Sequence, residues 1–348
     1  MKITHEQVEL KDLVRRFFGE KITSEYLRSR MASGVRRDPQ LLTQLSELGL
    51  DEGFSGESAM FSIVELALIA EEAGRVLLPE PLVERIFGSR LAPRLLSGAD
   101  AESYRQVIGE VSEVAVAPAL SCSLTPSEGG KLSGEVVWGF GIEGASHLLA
   151  FADIGSSRSA LVLDLARGGV SSAEKSSVDL TASLRSVTIL KGEVTYIGQS
   201  GAELLEDCFE ILKASEVFGM CERVVEMTCE YVKTREQFGV PIGGFQAIQH
   251  KLADIYAQTE SLGALCRFAA WTVQHSSEDQ RRLTARAAAL QAATLGPQVC
   301  EVALQCHGGI GFTWEYDLHL FLRRAKAIEA GFSLSEERAQ ELLVRARC

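Results

Sequence analysis

A cation, an aromatic ring, a glycine turn and an amide follow one another across residues 235 to 254. The run reads Arg235-Glu-Gln237-Phe238-Gly-Val-Pro241-Ile-Gly243-Gly244-Phe-Gln246-Ala-Ile-Gln-His250-Lys-Leu-Ala-Asp254. A guanidinium suits phosphate because its donors form a planar fork. Phe238 offers a face for adenine or ribose, and Gln246 stands near the start of the next helix, where it can bond a polar ligand edge. Pro241, Gly243 and Gly244 form a compact loop between them. This is equipment for the phosphates and adenosine of a dinucleotide. The plainer use of the same residues is Arg235 as a helix cap and Phe238 as core.

A second candidate is Gln305-Cys-His-Gly308-Gly309-Ile-Gly311-Phe-Thr-Trp-Glu315. A dinucleotide glycine loop of the Rossmann type needs a preceding strand. Here the preceding residues are rich in Ala, Leu and Gln and read as helix, which excludes NAD binding by that route. Gly308 and Gly309 are instead expected to end the helix and leave backbone N–H groups free for a pyrophosphate. A simple C-cap is the commoner use of Gly-Gly.

Three segments must position these residues. Residues 1–110 carry apolar side chains at helical spacing, as in Leu41, Leu42, Leu45 and Leu48. Residues 111–200 hold short strand-like runs, among them Val114–Pro118, Gly134–Trp138 and His147–Phe151, separated by Gly, Ser and Pro. They predict a small antiparallel barrel or sandwich. Residues 201–348 return to the helical period, with one apolar stripe through Ile211, Val217, Phe218 and Val224 and another through Ile248, Leu252 and Ile255. The layout is an α+β protein: helices, a β-domain, then a C-terminal helical bundle.

Composition narrows the function. The net charge of −12 argues against general nucleic-acid binding. The eight cysteines lack a CxxC pair and read as reduced buried thiols. The six histidines show no metal-ligand spacing, and the acidic residues fall mostly at solvent-face spacing. The start reads as a surface helix and not as a signal peptide, so a cytoplasmic location is expected.

The 235–254 run resembles, almost letter for letter, the flavin-binding signature of the acyl-CoA dehydrogenases. The Gln305–Glu315 stretch and the following Leu322-Arg323-Arg324-Ala-Lys326 match the same family, as does the segment order. The resemblance implies FAD, with Arg235, Gln237, Phe238, Gln246, Gln305, Gly308 and Gly309 gripping its adenosine diphosphate end. In that family the gripped FAD is housed mainly in the neighbouring subunit. The implied reaction is α,β-dehydrogenation of an acyl-CoA thioester, with a glutamate base and hydride transfer to the flavin.

The catalytic half departs from the family pattern. One base position, counted from Arg323, holds Phe332, with Glu329 one turn early. The other, counted back from Arg235, holds Phe209, followed by Glu210 where an arginine would help hold CoA. Glu210, Glu206 and Glu329 remain candidates for a displaced base. Two flavin-lining hydroxyls are also missing, in Val116-Ala117-Pro118 and Trp138-Gly139-Phe140. Phe140 is a candidate to fill the isoalloxazine's volume. These losses point to the non-catalytic subunit of a heterotetramer like those of bacterial steroid side-chain degradation. Its partners would be a paralogous catalytic subunit and an electron-transfer flavoprotein. A competent homotetramer, and a non-enzymatic helical or CoA-binding assembly, are the alternatives.

Overall fold

A computed structural model of the chain describes residues 3–34, 37–55, 59–109, 113–117, 122–126, 132–154, 157–192 and 194–332. Helices come first: α1 (His5–Lys21), α2 (Ser24–Ser33), α3 (Pro39–Glu47), α4 (Leu50–Gly53), α5 (Ile63–Arg75), α6 (Leu82–Ile86), α7 (Ala92–Leu95) and α8 (Gly98–Ile108). Capping boxes start α1 and α5. Thr4 and Gln7, then Ser62 and Glu65, satisfy each other's backbone N–H groups. Gln7 Nε2 also donates to Glu65 Oε1 at 2.7 Å, which joins the two helix starts.

Eight strands follow: β1 (Val114–Ala117), β2 (Cys122–Pro126), β3 (Leu132–Phe140), β4 (His147–Ile154), β5 (Ser157–Asp164), β6 (Val170–Lys175), β7 (Leu184–Gly192) and β8 (Thr195–Ile197). The sheet order is β6-β7-β3-β1-β4-β5-β8, with β2 added on β3. The expected antiparallel β-domain needs one correction. β1 pairs with β4 in parallel, Val114 facing His147 and Ala117 facing Ala150. The β2–β3 excursion lies between them in sequence, so the chain re-enters beside β1 in the same direction. Local patterning carries no signal for that crossover.

Both faces of the central strands are covered. Val114, Val116, Leu149, Phe151, Ala160 and Val162 point into the core shared with the helices. Ala115, Ala117, Leu148, Ala150, Leu161 and Leu163 alternate with them into a second core inside the sheet. Strict alternation with both sets buried is why these strands read as continuous apolar runs.

The C-terminal part holds α9 (Gln199–Thr234), a small hairpin of β9 (Glu236–Gln237) and β10 (Val240–Pro241), then α10 (Gln246–His275), α11 (Glu278–His307) and α12 (Leu318–Phe332). Helix α9 is the axis of the molecule. It packs against α5, α10, α11, α12 and β5, and its middle is buried on all sides. It crosses α5 at backbone contact: a Cβ on Gly219 would lie 1.7 Å from the Glu71 carbonyl oxygen, and one on Gly74 1.9 Å from that of Glu216. Among the described residues no helix is long and apolar enough to cross a membrane.

Candidate functional site

The two sequence motifs meet at one end of the helical bundle. Arg235 is the C-cap of α9; its N–H bonds the Tyr231 carbonyl at 2.9 Å, and its side chain is exposed. The guanidinium makes no hydrogen bond or ion pair among the described residues. The plain capping role is therefore filled by backbone, and the charged end is left over.

The β9–β10 hairpin follows at once. Its two loop residues, Phe238 and Gly239, both have positive φ, 55° and 79°. Such a turn matches the strand twist but favours Gly or Asn, so phenylalanine there is strained by about 1 kcal/mol or more. Phe238 is also 93% exposed, with Phe245 edge-on at 6.2 Å as its one ring contact among the described residues. It is not core. A strained, exposed aromatic ring beside an uncommitted arginine fits a ligand or partner surface. Gln237 is exposed on the same hairpin, and Gln246 opens α10.

The second motif ends α11. Gly308 has φ 65° and its N–H closes on the Leu304 carbonyl, while Gly309 lies exposed in the turn that follows, Gly308–Phe312. This narrows the expectation that both glycines leave backbone N–H groups free: the Gly308 N–H is taken by the cap, and Gly309 is the exposed glycine of the turn. Gln305 is exposed on the last turn of α11. Tyr231 joins the motifs: its ring stacks on His307 at 4.3 Å and 21°. Neither Tyr231 nor His307 carried a signal in the sequence, because stacking between residues 76 apart leaves no local pattern. These residues fit the adenosine diphosphate end of a flavin: an uncommitted guanidinium, an exposed ring and an open glycine turn.

The candidate bases lie elsewhere and are occupied. Glu210 is buried and paired with Arg286, which also donates to Glu206 at 3.2 Å. Asp207 accepts from Arg281 at 2.9 Å, and burial still pushes its carboxyl up to about 6. Glu206, Asp207 and Glu210 thus do not keep to a solvent face. They are held against α11 by its arginines, at a cost of several kcal/mol to any change that strands one partner. Phe209 packs on Phe87 and Phe151, centroids 6.2 and 6.5 Å away. Glu329 is half-buried and bridges to Lys326 at 3.2 Å. Val116 and Ala117 are buried in β1. Pro118 and the side chains of Trp138, Phe140 and Phe332 lie outside the described residues.

One turn after Glu210, α9 presents a further buried ion network. Lys213 Nζ donates to Glu84 at 2.9 Å and to Glu216; Arg324 donates to Glu216 at 2.8 Å, to Thr181 at 2.7 Å and to Asp179. Burial opposes charge on Lys213, but Glu216 and Glu84 outweigh it and its affinity for the proton rises. The network lines a cavity of about 60 Å³ between α6, β1, α9 and α12, together with Arg85 and Ser183. Glu80 lines it too. Burial raises its carboxyl to about 7, against opposing contributions from the Asp38 N–H and Arg30.

Between pH 4.5 and 7 the folded chain therefore keeps a proton on Glu80 that the unfolded chain loses, and stability falls as pH rises through that window. Glu80→Gln mimics the protonated form. It should match the parent near pH 5 and exceed it by about 2–3 kcal/mol at pH 8, given about 1.4 kcal/mol per unit. Denaturant melts across that range would read the gap, and a gap independent of pH would reject the assignment.

Comparison with known proteins gives the family. The family model described as acyl-CoA dehydrogenase, C-terminal domain, matches residues 211–332. The chain is 30% identical over 333 residues to acyl-CoA dehydrogenase IpdE2 of Mycolicibacterium smegmatis, covering 93% of each chain. It is 41% identical to IpdE2 of Mycobacterium tuberculosis over 121 residues, 35% of this chain and 36% of that one. Among solved structures, a variant of the Tcur3481-Tcur3483 steroid ACAD superposes with a TM-score of 0.87 at 26% identity over 98% of both chains. The ChsE4-ChsE5 complex from Mycobacterium tuberculosis shares the fold, with a TM-score of 0.85 at 22% identity over 99% of this chain and 98% of that one. The 30% identity to IpdE2 over 93% of both chains, the matched C-terminal model and the shared fold lead to one conclusion: the chain belongs to the acyl-CoA dehydrogenase family, which implies FAD as its cofactor.

Proposed function

We infer that this chain is the flavin-lending subunit of a heteromeric acyl-CoA dehydrogenase. It grips the adenosine diphosphate end of an FAD whose ring, base and acyl pocket belong to a paralogous partner, in a heterotetramer of two chains of each kind. The observation that carries this reading is the contrast between the two halves of the site. Arg235, Phe238 and Gly309 are exposed, and the Arg235 guanidinium has no partner among the described residues, whereas Glu206 and Glu210 are buried against Arg286 and Phe209 is packed on other rings. A carboxylate that neutralises a buried arginine is not available to take a substrate proton without breaking that pair. The neighbouring cavity, with the Lys213–Glu216–Arg324 network on one wall, holds about 60 Å³, too little for a bulky acyl chain.

When bound, FAD supplies the hydride acceptor for α,β-dehydrogenation of an acyl-CoA thioester. Arg235 pairs with the pyrophosphate, Phe238 covers the adenosine, Gln237, Gln246 and Gln305 bond polar edges, and the Gly309 turn donates backbone N–H groups. The two-component Tcur3481-Tcur3483 steroid ACAD among the neighbours supports both a paralogous partner and a bulky polycyclic acyl-CoA as substrate. An electron-transfer flavoprotein is the proposed acceptor and the cytoplasm the proposed location. The segments 1–110, 111–200 and 201–348 are the proposed domains.

The test is flavin stoichiometry. The chain purified alone should be colourless, and the complex co-purified with a paralogous subunit should hold one FAD per pair of chains. One FAD per chain in a homo-oligomer that bleaches with acyl-CoA would overturn the reading in favour of a displaced base. No flavin even with the partner would favour a non-enzymatic assembly.

A further inference from the structure

We propose that Tyr231, His307 and Tyr316 form an aromatic clamp that positions the Gly308–Gly309 turn against Arg235, so that these three are positioning residues for the adenosine half of the flavin. The proposal rests on the reading that this chain holds that half.

The geometry starts with His307, the last residue of α11, whose chain turns immediately into Gly308. His307 Nδ1 lies 2.8 Å from the Ala303 carbonyl. A carbonyl only accepts, so Nδ1 carries the proton. Burial lowers the imidazole's proton affinity, which keeps the ring neutral. Nε2 is then an acceptor, and Tyr316 Oη, 3.1 Å away, donates to it. Two hydrogen bonds of fixed direction hold the ring plane.

Tyr231 completes the clamp from the other side. Its ring lies on the imidazole, and its Oη donates to the His307 carbonyl at 3.3 Å. That carbonyl belongs to the peptide leading into Gly308. The carbonyl already opens the Gly308–Phe312 turn, whose N-cap is His307, and the Tyr231 hydroxyl adds a side-chain bond that ties this turn to α9.

The same tyrosine also sets Arg235. Its own carbonyl accepts the Arg235 N–H at 2.9 Å and the Thr234 hydroxyl at 3.1 Å. One residue therefore bonds the backbone at the start of each half of the grip: through its carbonyl to Arg235, through its hydroxyl to the peptide before Gly308. Tyr316 is anchored in turn, its N–H on the Thr313 carbonyl at 3.2 Å and its own carbonyl accepting from His319 Nδ1 at 2.9 Å. A phosphate held jointly by a side chain and a turn from different helices is bound well only if their spacing is already correct. This clamp fixes that spacing before any ligand arrives.

The experiment measures dissociation constants for FAD and for FMN, which lacks the adenosine half, on the complex with its catalytic partner. Tyr231→Phe keeps the stack and removes the hydroxyl; Tyr316→Phe removes the donor to Nε2. Each should weaken FAD about tenfold, the worth of one lost hydrogen bond, and leave FMN binding and the melting temperature nearly unchanged. In the chain alone, amide exchange at residues 308 to 312 should quicken in both variants, a readout independent of flavin. If Arg235→Ala weakens FAD but neither tyrosine variant does, the clamp is wrong and the grip stands. If Arg235→Ala also leaves FAD unchanged, the grip itself is wrong. Equal losses for FAD and FMN would mean a general structural defect, and would likewise overturn the clamp.

Discussion

Arg235→Ala should remove flavin from the assembled complex while leaving the complex assembled. The side chain is exposed at the end of α9 and bonds nothing among the described residues, so its loss leaves no buried group unpaired. The α9 cap survives because it is made by the backbone N–H on the Tyr231 carbonyl. What disappears is the interaction with the pyrophosphate. Charge-assisted hydrogen bonds contribute about 1.5–3 kcal/mol each. A bidentate fork carries two, so an FAD dissociation constant raised about 100-fold or more is expected. Lysine should rescue only part of this, since a point charge cannot reproduce the fork. Flavin absorbance per complex after gel filtration, with the elution volume as a control for assembly, would decide it. An unchanged yellow complex would dismiss Arg235 as a ligand.

The second large effect is on stability. Gly219→Ala places a methyl group 1.7 Å from the Glu71 carbonyl oxygen, where no side-chain rotation can relieve it. Helices α5 and α9 must separate. Both networks anchored at this crossing would be disturbed: Glu71, which accepts from Lys11 and from Arg267, and Glu216, which lies between Lys213 and Arg324. The cost should exceed about 3 kcal/mol, above the usual range for one added methyl in a tight core. Gly74→Ala, whose Cβ would meet the Glu216 carbonyl at 1.9 Å, should behave alike. Gly19→Ala in α1 is the contrast. Nothing lies within 4 Å of its Cβ, so the better helix former should stabilise by up to about 1 kcal/mol. Urea unfolding of the three variants would separate them. A Gly219→Ala protein as stable as the parent would refute the close crossing.

How the site was assembled from the chain differs between its two halves. The local structure of the proposed adenosine grip was legible because its parts are consecutive. Arg235 to Gln246 is a helix end, a hairpin and a helix start, and each carries its own local signal. Even there one detail escaped: the N–H of Gly308 serves the cap and is not left free. The carboxylates were not legible. Glu206, Glu210 and Glu216 look like the polar face of an amphipathic helix until α11 and α12 bring Arg286 and Arg324 over them. An arginine 76 or 108 residues away cannot be read from helical spacing.

Family, segment order and the exposed hairpin and glycine turn thus follow from the chain, because they depend on short-range propensity and on contiguous motifs. The parallel β1–β4 pair, the backbone contact of Gly74 and Gly219, the neutralised carboxylates and the Tyr231–His307–Tyr316 clamp do not. Each is a contact between residues far apart in sequence, and its energy depends on distances that exist only once α9 is enclosed by its neighbours.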